Sequence, residues 1–260
     1  MCDTCGCGDH EIVSVDVQES LLASNDRRAR HNREHLRADG TLALNLMGSP
    51  GCGKTALLEA TARRWGSGLR LAAMSGDLAT DRDAQRLRAA GIPSVDITTG
   101  SACHLDARMV HEALHDLPMD RIDLLFIENV GNLVCPAIYD LGQERNVVMV
   151  SVTEGEDKPQ KYPVMFRKAD LVIVAKTDLL PALPDFRLEL LRENLARVMP
   201  DPRCIELSAR SGEGLDAWLA WLDEARRALR GAQSAELRAP DGGRHEALEP
   251  GRPPHAGVRA

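Results

Sequence analysis

The stretch Gly48-Ser49-Pro50-Gly51-Cys52-Gly53-Lys54-Thr55 is the strongest constraint on how this chain can fold. It fills every fixed position of the G-x-x-x-x-G-K-[ST] pattern, and it lies between an apolar segment (41–47) typical of a buried strand and a segment (56–62) typical of a helix. In that context, backbone N–H groups of the loop converge on phosphate oxygens at the positive end of a helix. The pattern therefore predicts a nucleotide site of the P-loop type.

Individual residues of this loop have predicted tasks. Lys54 is expected to reach the β- and γ-phosphates and to act in catalysis, and Thr55 is expected to bind Mg²⁺. The predicted nucleotide contacts in the loop are Gly48, Ser49, Gly51, Cys52, Gly53, Lys54 and Thr55.

Apolar strands alternate with amphipathic helices along most of the chain. This alternation predicts an α/β fold, a P-loop NTPase with a mostly parallel sheet flanked by helices. The predicted strands are 42–47, 70–75, 94–97, 124–128, 147–152, 171–175 and 204–207. The predicted helices are 56–65, 79–90, 105–114, 160–167, 187–199 and 215–229.

Three other regions flank this predicted P-loop domain, which we place at residues 40–230. Residues 1–10 form a cysteine-rich head that we expect to be disordered and to bind metal, and residues 11–39 are predicted to be a helical linker. Residues 231–260 carry few large apolar side chains, so they cannot bury enough surface to offset the entropy of ordering. We therefore predict a disordered C-terminal tail.

Charge and hydropathy argue against two classes of function. The formal net charge of −7 disfavours nucleic-acid binding by phosphate neutralisation. No apolar run approaches the roughly 20 residues that a membrane-spanning helix needs, and the N-terminus lacks the charged and apolar regions of a signal peptide. We therefore expect a cytoplasmic protein without nucleic-acid or membrane partners. In a reducing cytoplasm, clustered cysteines bind metal or perform redox chemistry more often than they form disulfides.

Two acids at predicted strand ends are candidates for Mg²⁺ binding beside the P-loop. Glu128 is followed by Asn129-Val130-Gly131, so its carboxylate can hold Mg²⁺ or its water while the glycine lets the loop respond to the γ-phosphate. The alternative for Glu128 is a solvated acid. Asp77 is predicted either to bind Mg²⁺ and orient the attacking water as a catalytic residue, or to be the N-cap of the next helix. The sequence leaves both roles open for Asp77.

The segment Ala-Lys-Thr-Asp that ends at Asp178 resembles the guanine-reading N-K-x-D motif of GTPases. The carboxylate of Asp178 would accept hydrogen bonds from the N1–H and 2-amino groups of guanine, which adenine cannot offer, and Lys176 would lie along the base plane. Ala175 replaces the Asn that ties the base loop to the phosphate loop, and a missing buried hydrogen bond costs roughly 1 kcal/mol. Ser208 and Ala209 resemble the S-A-K loop, whose backbone contacts guanine. The predicted nucleotides are therefore GTP and GDP.

The head packs three thiols into six residues, Cys2, Cys5 and Cys7. This C-x-x-C-x-C spacing can wrap soft ligands around one ion, with the N-terminal amine or His10 as a fourth ligand. Redox chemistry is the competing interpretation, but redox C-x-x-C motifs begin a helix inside a folded domain. Metal binding is therefore the favoured prediction for the head.

A second possible metal site combines the adjacent pair Cys103 and His104 with Cys135. Each cysteine follows a segment expected to respond to nucleotide, and two thiolates with an imidazole suit Zn²⁺ or Ni²⁺. Three ligands leave an open position, which a two-fold dimer could fill with the partner's copies. The alternative is a buried thiol beside an ordinary imidazole.

Four further histidines have i, i+4 spacing on predicted helices: His31, His35, His111 and His115. That spacing can bind a metal ion, but solvated helix faces are the favoured interpretation.

Taken together, these motifs resemble the HypB GTPases, a family that helps to insert nickel into [NiFe]-hydrogenase. The resemblance covers nearly everything up to about residue 230. It rests on the cysteine head, the P-loop and the segments 103–107, 128–136, 154–159, 176–181 and 208–214.

The resemblance implies a Mg²⁺-dependent GTP hydrolase that forms a homodimer in response to nucleotide or metal. The head would be a tight Ni²⁺ site, and Cys103, His104 and Cys135 would form a weaker Ni²⁺ or Zn²⁺ site at the dimer interface. GTP hydrolysis would move nickel between this protein, a HypA-type zinc protein and the hydrogenase large subunit. Leu179 and Leu183 are either part of the dimer contact or core residues.

Several other functions compete with this interpretation. A urease accessory GTPase would share the P-loop, but its metal motif is Cys-Pro-His and it lacks the cysteine head. A kinase or ATPase with an incidental zinc site conflicts with the K-x-D loop. A non-enzymatic nickel or zinc storage protein with a weakened nucleotide site is the remaining alternative, and Ala175 gives it some support.

Overall fold

Residues 9–77, 81–100, 102–119 and 122–238 are described by the computed structural model of the protein. Within these ranges, the strands are β1 (Leu42–Gly48), β2 (Leu71–Asp77), β3 (Ser94–Thr98), β4 (Leu124–Glu128), β5 (Arg145–Ser151), β6 (Leu171–Ala175) and β7 (Cys204–Leu207). The helices are α1 (Asp9–Ala38), α2 (Lys54–Trp65), α3 (Arg82–Ala89), α4 (Ala107–Leu114), α5 (Lys158–Lys161), α6 (Pro163–Arg167), α7 (Leu188–Val198) and α8 (Leu215–Arg238).

All seven strands pair in parallel in one sheet of order β3-β2-β4-β1-β5-β6-β7. Helices cover both faces, as strands that are apolar throughout require. Leu44 and Leu46 of β1 pack in the core on the face covered by α2 and α8, whereas Ala43 and Met47 pack on the opposite face. This architecture confirms the predicted P-loop NTPase fold, and every predicted strand lies within two residues of its observed bounds.

Two predicted boundaries are wrong. The single helix predicted at 160–167 is two short helices, α5 and α6, because Pro163 has no N–H to continue the hydrogen-bond ladder. The disordered tail is predicted to begin at residue 231, whereas in the structure α8 continues to Arg238. The remainder of that predicted tail, 239–260, and the head cysteines Cys2, Cys5 and Cys7 lie outside the described residues.

The segment predicted as a helical linker, 11–39, corresponds to α1, and the second half of this helix packs onto the domain. Ala29, Asn32 and Leu36 are fully or almost fully buried. The side-chain amide of Asn32 donates to the carbonyl of Ala107 at 2.8 Å and to that of Leu141 at 3.1 Å. This half of α1 is therefore an integral layer of the fold, packed beside α4.

The carboxyl ends of the parallel strands meet at one edge of the sheet, with β1 between β4 and β5 at its centre. In such sheets ligands bind outside the carboxyl ends of the strands. The loops that leave β1, β2, β3, β4, β6 and β7 carry the predicted site residues to this edge. None of the helices in the described ranges has the length and apolar character needed to cross a membrane.

Candidate functional site

The P-loop joins β1 to α2 and encloses the ammonium group of Lys54. Lys54 Nζ lies 3.4 Å from the carbonyl oxygens of both Gly48 and Ser49, and the side chain is 7% exposed. Gly48 has no room for a side chain, since a Cβ there would lie 2.6 Å from the carbonyl oxygen of Met149 and 2.8 Å from Cys52 Sγ. Burial also raises the pKa of the Cys52 thiol, so this cysteine is a neutral packing residue of the loop.

Thr55 and Glu128 meet at the base of this loop. The Thr55 hydroxyl donates to Glu128 Oε1 at 2.8 Å, while Glu128 Oε2 is buried without a hydrogen-bond partner. Burial raises the pKa of Glu128 to about 7, against the lowering effects of Lys54 and Thr55. A buried carboxylate with a free oxygen beside a threonine hydroxyl is a ligand set that fits Mg²⁺.

Asp77 ends β2 and lines the same cavity, of about 470 Å³, as Lys54, Thr55 and Glu128. Asp81, not Asp77, immediately precedes α3, so the N-cap alternative for Asp77 is wrong. Asp77 lies where it could contact a bound phosphate, its metal ion or water.

Arg86 of α3 also lines this cavity, and sequence reasoning did not identify it. Its guanidinium pairs with both carboxylate oxygens of Glu59 at 3.0 Å and with Asp83 at 3.3 Å. The sequence offers no motif for Arg86, because it is one of several arginines on a polar helix.

A second cavity, of about 360 Å³, lies where β6 and β7 end. Among the described residues other than glycine, Lys176 alone has a positive φ, 63°, which turns the chain between β6 and the short 3₁₀ helix Thr177–Ala182. Asp178, Ala209 and the P-loop residues Cys52 and Gly53 line this cavity together with Lys176. The residues predicted to read the base are thus adjacent to the residues predicted to hold the phosphates.

Ser208 orients Asp178 through its side chain, a contact that sequence reasoning did not anticipate. The Ser208 hydroxyl is fully buried and accepts hydrogen bonds from the backbone N–H groups of Arg210 and Ser211 at 3.2 and 3.1 Å. It donates in turn to Asp178 Oδ1 at 2.6 Å. Ala175 ends β6 at 3% exposure and has no polar side chain to offer this cavity.

Cys103, His104 and Cys135 come together although 32 residues separate the two cysteines. The two Sγ atoms are 2.8 Å apart, His104 Nδ1 lies 3.8 Å from Cys103 Sγ, and the three ligand atoms lie within 4.8 Å of one another. The ring of His104 stacks on Tyr139 with centroids 3.9 Å apart. Two thiols and an imidazole at this spacing fit Zn²⁺ or Ni²⁺.

The segment after β4 joins the phosphate loop to this cluster. The backbone N–H of Asn132 donates to Gly48 O at 3.1 Å, and its side-chain amide donates to Cys103 O at 3.3 Å. A Cβ on Gly131 would lie 2.8 Å from Pro50 Cα, so the two loops touch directly. Asn132 lies in the segment 128–136 on which the family resemblance rests, but sequence reasoning gave it no role, because a motif does not reveal which backbone groups its asparagine contacts.

Leu179 and Leu183 are half-buried and pack against the core cluster around α6 and α7. Val134 and Ile138 lie on either side of the short 3₁₀ helix Cys135–Ala137. At 54% and 43%, both are more exposed than Leu179 and Leu183.

Comparisons with known proteins identify relatives of this domain. The family model described as "CobW/HypB/UreG, nucleotide-binding domain" matches residues 42–205. A hydrogenase maturation factor HypB from Azotobacter chroococcum is 51% identical over 225 residues, which cover 86% of this chain and 73% of that protein.

Two solved structures match the fold closely. The crystal structure of HypB from Helicobacter pylori in complex with nickel has 40% sequence identity and a TM-score of 0.75, covering 79% of this chain and 96% of that one. The structure of HypB from Archaeoglobus fulgidus has 43% identity and a TM-score of 0.73, covering 79% of this chain and 100% of that one. The range matched by the family model includes the P-loop, the Cys103 cluster and Asp178.

Proposed function

This chain belongs to the HypB family of hydrogenase maturation factors, and from that premise we propose that it hydrolyses GTP to drive nickel insertion into [NiFe]-hydrogenase. The observation that carries the proposal is the pair of hydrogen bonds by which Asn132 links Gly48 of the P-loop to Cys103 of the thiol cluster. A nucleotide site and a metal site that share one loop can influence each other.

The nucleotide in this proposal is GTP. Asp178 is held by the buried Ser208 hydroxyl and presents its carboxylate to the cavity beside the P-loop. An ionised carboxylate accepts from both the N1–H and the 2-amino group of guanine, whereas adenine has neither group at that edge. Ser208, Ala209 and Lys176 complete the proposed base site.

Hydrolysis in this proposal depends on the residues around the 470 Å³ cavity. Lys54 and the loop N–H groups hold the phosphates, and Asp77 orients the attacking water. Thr55 and Glu128 would hold Mg²⁺, which when bound neutralises charge that develops on the phosphate oxygens. The free Oε2 of buried Glu128 supports this assignment, because a nearby cation would stabilise its ionised form.

Nickel is the proposed cargo. The chemistry of two thiols and an imidazole supports binding of Ni²⁺ or Zn²⁺ at Cys103, His104 and Cys135. Cys2, Cys5 and Cys7 are the proposed tight Ni²⁺ site, and transfer would involve a HypA-type protein and the hydrogenase large subunit. Homodimer formation is part of the proposal, and the exposed Val134 and Ile138 beside Cys135 support an interface there.

The test of GTP specificity is the Asp178→Asn variant assayed with GTP and with XTP. Loss of two hydrogen bonds to a charged group weakens GTP binding by at least about 3 kcal/mol, or ~100-fold. Xanthine has a carbonyl oxygen where guanine has its 2-amino group, so the Asn amide can donate to it and XTP binding should appear. Asp185→Asn, which changes an exposed carboxylate nearby, is the matched control and should leave GTP binding unchanged. Unaltered GTP binding by Asp178→Asn would contradict the proposed base site.

A storage protein without enzymatic activity is the alternative, and the absence of a polar side chain at Ala175 favours it. Measuring phosphate release from GTP by the wild type and by Lys54→Ala separates the two functions. A rate that disappears in Lys54→Ala supports the enzyme. Equal, negligible rates in both proteins would support storage.

A further inference from the structure

Helices α1 and α4 bring together histidines that lie about 80 residues apart in sequence. His31 lies on α1, His111 lies on α4, and His115 is the C-cap residue of α4. The ring centroids of His31 and His111 are 5.2 Å apart, and those of His111 and His115 are also 5.2 Å apart. The i, i+4 spacing, for which solvated helix faces were the favoured interpretation, thus produces a cluster of imidazoles where two helices pack together.

This spacing suits shared ligation of one ion. Imidazole nitrogens bind Zn²⁺ at about 2.0–2.1 Å, which places the centroids of two rings on a tetrahedral ion about 5 Å apart. Among the described residues, only the Cys103 group already has three ligand atoms within 4.8 Å of one another. The histidine nitrogens must therefore rotate to a common point, and His31 and His115 are exposed and have room to do so.

The central histidine is oriented by a hydrogen bond at its Nδ1 atom. Asn32 Oδ1 lies 3.0 Å from His111 Nδ1. Because the Asn32 amide nitrogen donates to the carbonyls of Ala107 and Leu141, its oxygen must accept, and His111 Nδ1 therefore carries the proton. The Nε2 lone pair of His111 is left for a ligand. Such outer hydrogen bonds fix the tautomer and orientation of metal-bound histidines.

The cluster is also next to the proposed thiol site. His31 and His104 line one cavity of about 550 Å³ between α1 and the loop that precedes α4. A cation held by His31 would thus share a cavity with a ligand of the Cys103 group. Imidazole ligands suit Zn²⁺, Cu²⁺ and Ni²⁺, whereas Mg²⁺ and Ca²⁺ prefer oxygen.

From this arrangement we infer that His31, His111 and His115 form a third transition-metal site, separate from the cysteine head and from the Cys103 group, that binds a divalent cation of the Ni²⁺ and Zn²⁺ class. His35, one turn along α1 from His31, instead faces Asp39, whose carboxylate lies 3.9 Å from His35 Nε2. The inference does not depend on GTP hydrolysis or on the head.

The experiment uses the full chain with its proposed thiol ligands removed, by Cys→Ser at residues 2, 5, 7, 103 and 135. Equilibrium dialysis against Ni²⁺ alone counts bound metal in this background. We expect one saturable Ni²⁺ per chain, and loss of saturable binding after His31→Gln and His115→Gln are added. Both histidines are exposed, so circular dichroism should show an unchanged fold.

The matched control adds His245→Gln and His255→Gln, which remove the same number of imidazoles elsewhere in the chain. This control should retain the bound Ni²⁺. The inference is overturned if the background binds no Ni²⁺, if binding survives His31→Gln and His115→Gln, or if the control loses it equally. None of these results bears on nickel binding by the cysteines, because the cysteine ligands are absent throughout.

Discussion

The coupling between nucleotide and metal should depend on the side chain of Asn132. This side chain donates to Cys103 O at 3.3 Å and accepts from the backbone N–H of Val134 at 2.9 Å. The backbone N–H of Asn132 separately donates to Gly48 O at 3.1 Å, and that contact survives truncation. Asn132→Ala therefore leaves the P-loop contact in place while cutting the link to the thiol cluster.

The size of the effect follows from the contacts that are lost. A typical hydrogen bond contributes about 0.5–1.5 kcal/mol, and allosteric couplings are typically about 1–3 kcal/mol, or roughly 5–150-fold in affinity. Losing the bond to Cys103 alone removes about 1 kcal/mol of coupling, which is roughly fivefold. We expect the ratio of Ni²⁺ affinities with GDP and with a nonhydrolysable GTP analogue to move toward one by about that factor.

The assay titrates Ni²⁺ against a metallochromic indicator in a protein that carries Cys2, Cys5 and Cys7→Ala, so that the head does not compete. Asn25→Ala is the matched control, because Asn25 also donates to one carbonyl (Asp140) and accepts from one N–H (Ala107), at 2.8 and 2.9 Å. The control should keep the wild-type ratio. An unchanged ratio in Asn132→Ala would refute the reasoning, as would an equal change in both variants.

Two further predictions concern Glu128 and the head. Burial raises the pKa of Glu128 from an ordinary 4.5 to about 7. In the protein without Mg²⁺ and nucleotide, protonated Glu128 therefore stabilises the fold fully below pH 4.5, and this stabilisation is lost as the pH rises through 7. Between pH 4.5 and 8 the free energy of unfolding, measured with urea, should change by about 3 kcal/mol less in Glu128→Gln than in the wild type. Parallel plots of this free energy against pH for the two proteins would contradict the prediction. Replacing Cys2, Cys5 and Cys7 by Ala should abolish tight Ni²⁺ binding, followed by thiolate-to-nickel absorption, while GTP hydrolysis remains; loss of hydrolysis would count against separate modules.

The elements predicted well are those whose signal is local and repeated. Seven apolar strands and a loop with fixed glycines can be recognised from neighbouring residues alone. The sequence analysis predicted all seven strands and the loop. The helical character of 11–39 was predicted, but the packing of α1 onto the domain was not, because the face it buries contains the polar Asn32 and the small Ala29. Its packing depends on carbonyls of Ala107 and Leu141, far away in sequence.

The contacts inside the candidate site were harder to foresee for a related reason. Motifs pointed to Asp178 and Ser208 separately, but the 2.6 Å hydrogen bond between them depends on how two loops approach. The same holds for His31 and His111, whose neighbourhood exists only because α1 and α4 pack together. The residue spacing within one segment does not reveal which side chains of a distant segment it will contact.

The segment from Glu128 to Cys135 explains why nucleotide and metal should be linked in both directions. Over eight residues it carries the proposed Mg²⁺ ligand, the glycine that touches Pro50, the asparagine that joins Gly48 to Cys103, and one of the two thiols. In the proposed function, this short segment is the shared element through which a change at the nucleotide site would reach the thiol cluster. If the proposed sites are coupled in this way, linkage makes the effect reciprocal: GTP would change nickel affinity at Cys103 and Cys135 by the same factor by which nickel would change GTP affinity. Nickel occupancy of this cluster would therefore help to set which nucleotide the protein holds.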